Sequence, residues 1–173
     1  SALHEPFIGY YHFWSPHEPY FPHRRFIGMF DDGWNPAPKP PHPLSSKAPV
    51  DELNRARREY DEYVANVDAE FGRLYHYLQD SGILDNSYLI VTSDHGQMFE
   101  RGVNGHVTPL LSEAIIQVPL LISAPGQSDR LEVHLSGAAN IHATRVRGLD
   151  AQLSGAGNIE VDQIAGPLDA RVS

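Results

Sequence analysis

The stretch Ser87-Tyr88-Leu89-Ile90-Val91-Thr92-Ser93-Asp94-His95-Gly96 decides the fold of the first part of this chain. Residues 87–92 are apolar and β-branched, which predicts a central β-strand. The strand ends at Asp94 and His95, and open α/β sheets bind ligands at the carboxyl ends of their strands. A carboxylate beside an imidazole suits a divalent cation that activates an anionic ester. The same residues also fit an ordinary Asp-His-Gly turn, and residue type alone does not separate the two interpretations.

A long helix precedes this strand in the chain. Apolar residues recur at spacings of three, four and seven from Leu53 to Leu78, which predicts an amphipathic helix over residues 51–80. Two further strands are predicted, at Phe7 to Phe13 and at Val118 to Ile122. Strand, helix, strand, loop and strand in this order predict an α/β layer with a mainly parallel sheet.

The proline content marks a different kind of segment. Residues 1–50 hold ten of the 14 prolines, and the run from Pro36 to Pro43 is the densest. Such a run forms neither a helix nor a central strand, because proline fixes φ and lacks an N–H. It predicts an extended, polyproline-like crossing of the surface.

The overall composition excludes several classes of protein. The chain is 41% hydrophobic and 20% charged, which is typical of a globular protein. Its net charge of −9 argues against nucleic acid as a partner, and the absence of cysteine excludes disulfides and thiolate sites. We predict no transmembrane segment, since no apolar run is long enough. The sequence does not begin with a signal peptide, but it also lacks an initiating Met and is expected to be a fragment, so extracytoplasmic and cytoplasmic locations both stay open.

Residues 131–173 contain a repeat. Residues 131–148 and 149–166 form two units of 18 residues with eight identical positions, and a third copy begins at Leu168. Alternating apolar residues flank a small-residue turn in each unit. This pattern predicts a short β-solenoid, in which stacked units bury one another's apolar faces.

Two further histidines are candidates for the site at the end of the strand. His106, which follows Gly105, would bind a metal ion or hold an anionic ester oxygen, or it is a surface-loop histidine. His17 lies between Pro16 and Glu18 in a stiff loop, which either aims it into a cleft or leaves it exposed. Residue type and spacing leave these alternatives open.

Several motifs follow one another in a fixed order along residues 1–127. They are the segments 15–20, 60–68, 71–74, 81–87, 92–99, 105–106, 118–122 and 125–127. Together they resemble the sulfatase family of the alkaline phosphatase superfamily. The resemblance implies a partial alkaline-phosphatase-like α/β sandwich and a metal-dependent hydrolase of small anionic esters, either sulfates or phosphates.

The resemblance also implies roles for individual residues. Asp94 and His95 would be two ligands of a divalent metal ion, with calcium expected first and magnesium or manganese as alternatives. His17 and His106 would face the sulfate or phosphate group as catalytic residues. Gln97 stands where many relatives carry Glu.

Parts of the family's machinery are missing from this sequence. The resemblance implies a nucleophile near the start of the domain, either a formylglycine made from a Cys/Ser-x-Pro-x-Arg motif or a Ser or Thr. The nearest match to the motif, Ser123-Ala124-Pro125-Gly126-Gln127, lacks the arginine. An early Asp pair that completes the metal shell is also absent. Both normally precede the part of the domain that Ser1 begins. We therefore expect little or no hydrolysis by this chain alone, and a partner that supplies the missing half-domain.

The tail resembles a second family, the adhesin head module of bacterial autotransporter-like envelope proteins, through its Ser-Gly-Ala-Gly-Asn repeats. We predict a partial hydrolase domain over residues 1–127 and a repeat segment over residues 128–173, two unrelated pieces that meet near residues 127–130. The alternative function is a non-catalytic, extracytoplasmic β-solenoid module with a structural or binding role.

Overall fold

The computed structural model describes residues 6–123, 131–136, 139–154 and 157–172. In these ranges helices and strands are mixed, which is compatible with an α/β protein. The helices are α1 (Val50–Asp80) and α2 (Glu113–Ile116), with 3₁₀ turns at Arg24–Phe26 and Ile83–Asn86. The strands are β1 (Leu89–Thr92), β2 (Met98–Glu100), β3 (Val103–Gly105), β4 (Leu120–Ser123), β5 (Leu131–Ser136), β6 (Ala139–Val146), β7 (Leu149–Ser154), β8 (Gly157–Ile164) and β9 (Leu168–Val172).

Helix α1 confirms the helix that the apolar spacing predicts. Asp51 and Glu52 lie in its first turn, where acidic side chains favour the positive end of the helix dipole. The helix ends at Asp80, and Gly82 follows with φ of 73°, a left-handed conformation that glycine adopts at little cost. Leu53 is buried. No helix among the described residues has the length and apolarity that a membrane crossing needs.

The sheets of the first part differ from the predicted mainly parallel sheet. Strand β1 pairs antiparallel with β4, so that Thr92 lies opposite Leu120, and β2 pairs antiparallel with β3. The connection from β1 to β4 contains a hairpin and a single helical turn, and it returns the chain to the end at which β1 stops. A parallel pair would need a crossover to the other end of the sheet. Parallel pairing occurs later, in the repeats.

The predicted strand from Phe7 to Phe13 is wrong. The described part of this segment has no strand pairing, and Ile8 is 99% exposed. Its apolar sequence fits a strand that is buried on both faces. Among the described residues, however, no neighbouring strand pairs with it, so its side chains face solvent.

A hairpin that was not predicted from the sequence connects β2 to β3. Arg101 and Gly102 form its two-residue turn with φ values of 51° and 77°, the signs of a type I′ turn. The proline-rich run forms neither a helix nor a strand, as predicted, and it contacts this turn: the His42 N–H donates to the Arg101 carbonyl at 2.8 Å. The Ala48 N–H donates to the Gly102 carbonyl at 3.1 Å.

The repeated units pair as their sequence identity suggests. Strands β5, β7 and β9 are parallel and in register, with Leu131 opposite Leu149 and Leu149 opposite Leu168. Strands β6 and β8 also pair in parallel. The small-residue turns at 137–138 and 155–156 and the predicted junction at 127–130 lie outside the described residues.

Strand β4 connects the two parts of the structure. It pairs with β1 along one edge and lies beside β6 of the repeats. Leu120 of β4 packs against the buried cluster of the repeats, which consists of Val133, Val146, Leu149 and Ala151. The repeat core therefore extends into the first part of the chain.

Gly96 is fixed by a close backbone approach. Its N–H donates to the Ile115 carbonyl of α2 at 2.6 Å. A Cβ atom at position 96 would lie 2.2 Å from the Ala114 carbonyl oxygen. The sequence predicts that Gly96 allows a sharp turn after Asp94 and His95, whereas the structure shows that it allows α2 to dock.

We predict that Gly96→Ala destabilises the protein by about 1–3 kcal/mol, the usual cost of forcing extra atoms into a packed site. Gly72→Ala is the matched control. Gly72 lies within α1, and a methyl group there would meet nothing within 4 Å, so alanine should stabilise the helix by up to about 1 kcal/mol. Urea unfolding of the three proteins measures both changes, and equal stabilities of the two variants would contradict the prediction.

Candidate functional site

Three histidines from separate segments meet just beyond the carboxyl end of β1. The His95 and His106 rings are stacked, with centroids 3.9 Å apart and planes at 23°. The His17 ring meets His106 edge-on, with centroids 5.2 Å apart. The structure therefore brings together His17, His95 and His106, and the adjacent Asp94 joins them.

The loop that carries His17 is held by α1. Ser15 Oγ hydrogen-bonds with the Tyr63 hydroxyl at 2.8 Å, and the His17 N–H donates to the Trp14 carbonyl at 2.9 Å. The Trp14 ring lies 4.5 Å from the His17 ring. Tyr20, at the other end of the loop, packs against the rings of Tyr60 and Tyr63. Both ends of the loop are thus anchored on one face of the helix.

A chain of hydrogen bonds orients His106. Met98 pairs with Gly105 in the β2–β3 hairpin, so the residues just outside that pair, Gln97 and His106, face each other. His106 Nδ1 lies 2.9 Å from Gln97 Oε1, and Gln97 Nε2 donates to the Tyr20 hydroxyl at 2.9 Å. Burial raises the pKa of Tyr20 to about 12, although the hydrogen bond from Gln97 opposes this rise. The phenol therefore stays protonated at neutral pH.

In all three histidines the ring nitrogen Nδ1 forms a hydrogen bond with a carbonyl oxygen of the protein. Nδ1 of His17 lies 2.7 Å from the Glu18 carbonyl oxygen, and Nδ1 of His95 lies 2.9 Å from the Gly96 carbonyl oxygen. In His106 the partner is the amide oxygen of Gln97. Carbonyl oxygens only accept, so Nδ1 must donate in each ring. In the neutral ring, each Nε2 then carries a lone pair for a ligand or a proton.

Asp94 and His95 are placed as a pair. Asp94 Oδ1 accepts the His95 N–H at 3.0 Å and lies 3.8 Å from His95 Nε2. Desolvation raises the pKa of Asp94, but hydrogen bonds from the backbone N–H groups of Asp94 and His95, with the charges of His95 and His12, together lower it below its ordinary value. The carboxylate is therefore ionised at neutral pH. An anion and an imidazole lone pair at this separation suit one shared cation.

The environment of His106 disfavours its charged form. Burial lowers the pKa of His106 from its ordinary value of 6.5, and the charges of His95 and His17 lower it further, against the opposing effects of Glu18 and Asp94. His106 is consequently neutral at pH 7, with its Nε2 lone pair available.

The donors of this cluster meet only part of the needs of the divalent ion that the sulfatase resemblance implies. Calcium takes about six to eight oxygen ligands, and magnesium takes about six. The described residues contain no group of three or more His, Asp or Glu side chains that could hold a metal ion. Asp94 and His95 would supply two ligands, which do not make a complete site for such an ion.

The sequence predicts His17, Asp94, His95 and His106 as site residues, and the structure brings all four together; their roles stay predictions. The residues that hold them in place are not predictable from the sequence. Tyr20 and Gln97 are 77 residues apart, and their contact depends on the hairpin and on α1. The position of Tyr20 in the same short loop as His17 was the one signal that the sequence offered.

The fold and the site define a mixed helix and strand protein with a cluster of histidines and a carboxylate at the end of a strand. The sulfatase family model matches residues 1–146. The chain belongs to the sulfatase family, whose members act on sulfate esters and generally use a divalent metal ion. The match overlaps the first repeat unit, and the predicted boundary at residues 127–128 stays a prediction.

Two curated relatives agree with this assignment. The chain is 28% identical to the choline-sulfatase of Rhizobium meliloti over 151 residues, which are 76% of this chain and 29% of that protein. It is 40% identical to the extracellular sulfatase SULF-1 homolog of Drosophila melanogaster over 63 residues, 35% of this chain and 6% of that protein. The chain thus spans less than a third of either relative. No solved structure matches it.

The lowered pKa of His106 predicts a pH dependence of stability. Above pH 6.5 the ring is neutral in both the folded and the unfolded chain, and its contribution is complete. As the pH falls below 6.5 the unfolded chain binds the proton first, so stability is lost progressively until the folded pKa is passed.

His106→Asn removes this titration. Histidines titrate between about pH 7 and pH 5. As the pH falls through this range, we expect the free energy of unfolding to fall less steeply in His106→Asn than in the parent protein. Urea unfolding at several pH values measures the two slopes. Taking the difference between the proteins cancels the histidines that lie outside the cluster, such as His134, whose pKa is raised mainly by its hydrogen bond with Glu132. Identical slopes would contradict the prediction.

Proposed function

We propose that this chain carries part of the active site of a sulfate-ester hydrolase, with Asp94 and His95 as metal ligands and His17 and His106 as the residues that contact the ester. The observation that carries the proposal is the contact of three histidine rings. The ring centroids of His17 and His106 lie 5.2 Å apart, and those of His106 and His95 lie 3.9 Å apart. The three residues come from separate loops, yet each donates through Nδ1 and leaves Nε2 to the site.

The chain's own residues would act by binding and by proton transfer. The Nε2 atoms of His17 and His106 accept a proton or, once protonated, donate to the oxygens of a sulfate or phosphate group. Gln97 and Tyr20 keep the His106 proton on Nδ1, so its ester-facing nitrogen stays the acceptor at neutral pH. A divalent ion held partly by Asp94 and His95 would supply Lewis-acid polarisation of the ester oxygens, with calcium the first choice and magnesium or manganese the alternatives.

The same proposal limits what the chain does alone. Its sequence has no cysteine, and Ser123 is followed by Ala124 and Pro125 but lacks the arginine of the family's nucleophile motif. With two metal ligands and no nucleophile motif, the chain alone would bind the ester but would not cleave it. We propose that a further polypeptide segment supplies the remaining half-domain.

A second candidate function is favoured by the repeats. Strands β5, β7 and β9 stack in parallel and in register, as they would in a β-solenoid. In this alternative the chain is a non-catalytic, extracytoplasmic structural or binding module of the adhesin type, and the sulfatase part is a scaffold.

Calcium binding separates the two candidates. The hydrolase proposal predicts weak binding by the chain alone, with a dissociation constant of about 1 mM, the weak end of protein calcium sites. The Asp94→Ala variant should lose it, because the carboxylate is the only anionic ligand of the pair. Isothermal titration calorimetry with calcium, magnesium and manganese measures this. Absence of binding to the parent chain would favour the structural module.

Turnover tests the absence of a nucleophile. We expect hydrolysis of an aryl sulfate by the parent chain to match that of His95→Ala within error, because the family's nucleophile motif is absent from both sequences. The assay follows release of the phenol at saturating calcium. Turnover by the parent chain well above that of His95→Ala would show a complete active site and overturn this part of the proposal.

A further inference from the structure

Strand β9 lies at the edge of the three-stranded sheet of the repeats. The strand order is β5-β7-β9, and no strand among the described residues pairs with the outer edge of β9. Leu149 of β7 is 5% exposed, whereas Leu168, which lies opposite it on β9, is 59% exposed. Ala151 is buried, and its partner Ala170 is exposed. Strand β9 therefore leaves uncovered the positions that are buried in the strand beside it.

The register of β9 determines which backbone groups its outer edge presents. The Leu149 N–H donates to the Pro167 carbonyl at 3.1 Å, so the carbonyl of Pro167 points toward β7. Successive residues of a strand direct their backbone groups to opposite edges. The backbone groups of Leu168, Ala170 and Val172 therefore point away from β7. A row of N–H and C=O groups of this kind is a template for pairing with another strand.

Two opposite charges flank the centre of β9. Asp169 and Arg171 lie on either side of Ala170 in the sequence, and both side chains are exposed. Within the strand the Arg171 guanidinium donates to Asp169 Oδ2 at 3.1 Å. An exposed ion pair contributes little to stability. Both groups can therefore form ion pairs with a further strand at little cost.

A second copy of β9 complements the first when the two strands run antiparallel and are centred on Ala170. The two Ala170 residues then form a hydrogen-bonded pair and exchange both of their N–H···O bonds. Asp169 of each copy lies opposite Arg171 of the other. These positions fall in non-hydrogen-bonded pairs, in which the side chains are closest. Opposite charges stabilise such a pair, and like charges destabilise it.

We propose that the outer edge of β9 is a self-association site, at which two copies of this chain pair antiparallel about a twofold axis at Ala170. The same surface is used by both copies, so the association closes at the dimer. It joins two three-stranded sheets into one and covers Leu168 of each copy. The inference goes beyond the proposed function, because no residue of the histidine cluster takes part.

Other arrangements of these strands place like charges together. Parallel pairing of two β9 strands in register would set Asp169 beside Asp169 and Arg171 beside Arg171. Stacking of β9 on β5 of another copy, in the register that the repeats use, would set Asp169 beside Glu132. Within one chain, acidic neighbours such as Glu132 and Asp150 are held together by the polypeptide that connects them. Separate chains lack this constraint, so the charges favour the antiparallel dimer.

Sedimentation of the full chain over a range of concentrations tests the association. We expect a reversible monomer–dimer equilibrium with a dissociation constant of about 1–100 µM, since pairing along one edge gives a small interface. Asp169→Arg and Arg171→Asp should each weaken the dimer about tenfold or more, because each variant places like charges in both facing pairs. Both side chains are exposed in the chain alone, so these variants should fold.

An exchange of charges distinguishes the facing pairs from a general loss of stability. A mixture of Asp169→Arg with Arg171→Asp should form a heterodimer about as tight as the parent dimer, because each cation of one copy then faces an anion of the other. The double variant D169R/R171D should regain the parent affinity for the same reason. Damage to the fold of either single variant would give neither recovery.

Two further variants separate this edge from other surfaces. Ala170→Pro removes the central outward N–H of β9 and keeps the bonds to β7, since proline is accepted on an edge strand whose N–H faces outward. It should abolish the dimer and leave the thermal unfolding of the monomer near that of the parent chain. Glu132→Arg is the matched control, because its exposed side chain has the equivalent position on β5, and it should leave the dimer unchanged.

Four results would each overturn the inference. They are a parent chain that stays monomeric up to about 1 mM, well above the expected constant, a dimer that Ala170→Pro does not weaken, a mixture of the two charge variants that does not associate, and association that Glu132→Arg strengthens. The last result would indicate head-to-tail stacking of β9 on β5, which continues to grow with concentration instead of closing at two copies.

Discussion

The site depends on the contacts that the ring of Tyr60 on α1 makes with two other aromatic rings. It lies 5.6 Å from the Tyr20 ring and 5.4 Å from the Phe99 ring, and so joins the His17 loop to the β2–β3 hairpin. Burial of Tyr60 raises its pKa, which agrees with a ring enclosed by neighbours. With this contact in place, the Tyr20 hydroxyl reaches Gln97, and Gln97 orients His106. Tyr60 of α1 and the aromatic rings that it contacts thus position the three histidines of the site, which lie outside the helices.

The parts of the fold that sequence predicts are those whose signal is local or repeated. Helix α1 follows from apolar spacing within one segment, and the pairing of Leu131 with Leu149 follows from identity between the repeat units. The segment from Phe7 to Phe13 shows the limit: its side chains fit a buried strand, but a strand forms only where a partner pairs with it. The antiparallel pairing of β1 with β4 depends on the path of residues 93–119, which carry no direct signal of direction.

The residues of the candidate site likewise divide into those that the sequence predicts and those that it does not. Asp94 and His95 belong to one motif, and they could be identified from residue type and from the sulfatase resemblance. The link from Tyr20 through Gln97 to His106 could not, since it depends on the hairpin register and on the packing of α1. Gly96 gives an intermediate case, because its importance was predictable but its reason was not. The Ala114 carbonyl that excludes a side chain there comes from a helix of four residues.

The in-register repeats have a consequence for length. Strand β7 lies beside β5 and β9 lies beside β7, so every added unit extends the stack by one strand spacing, about 4.8 Å. Because each unit contacts only its neighbours, duplication of a unit would leave the existing contacts unchanged. Evolution could therefore change the length of the repeat segment in whole units, while the elements that precede it in the chain stay unchanged.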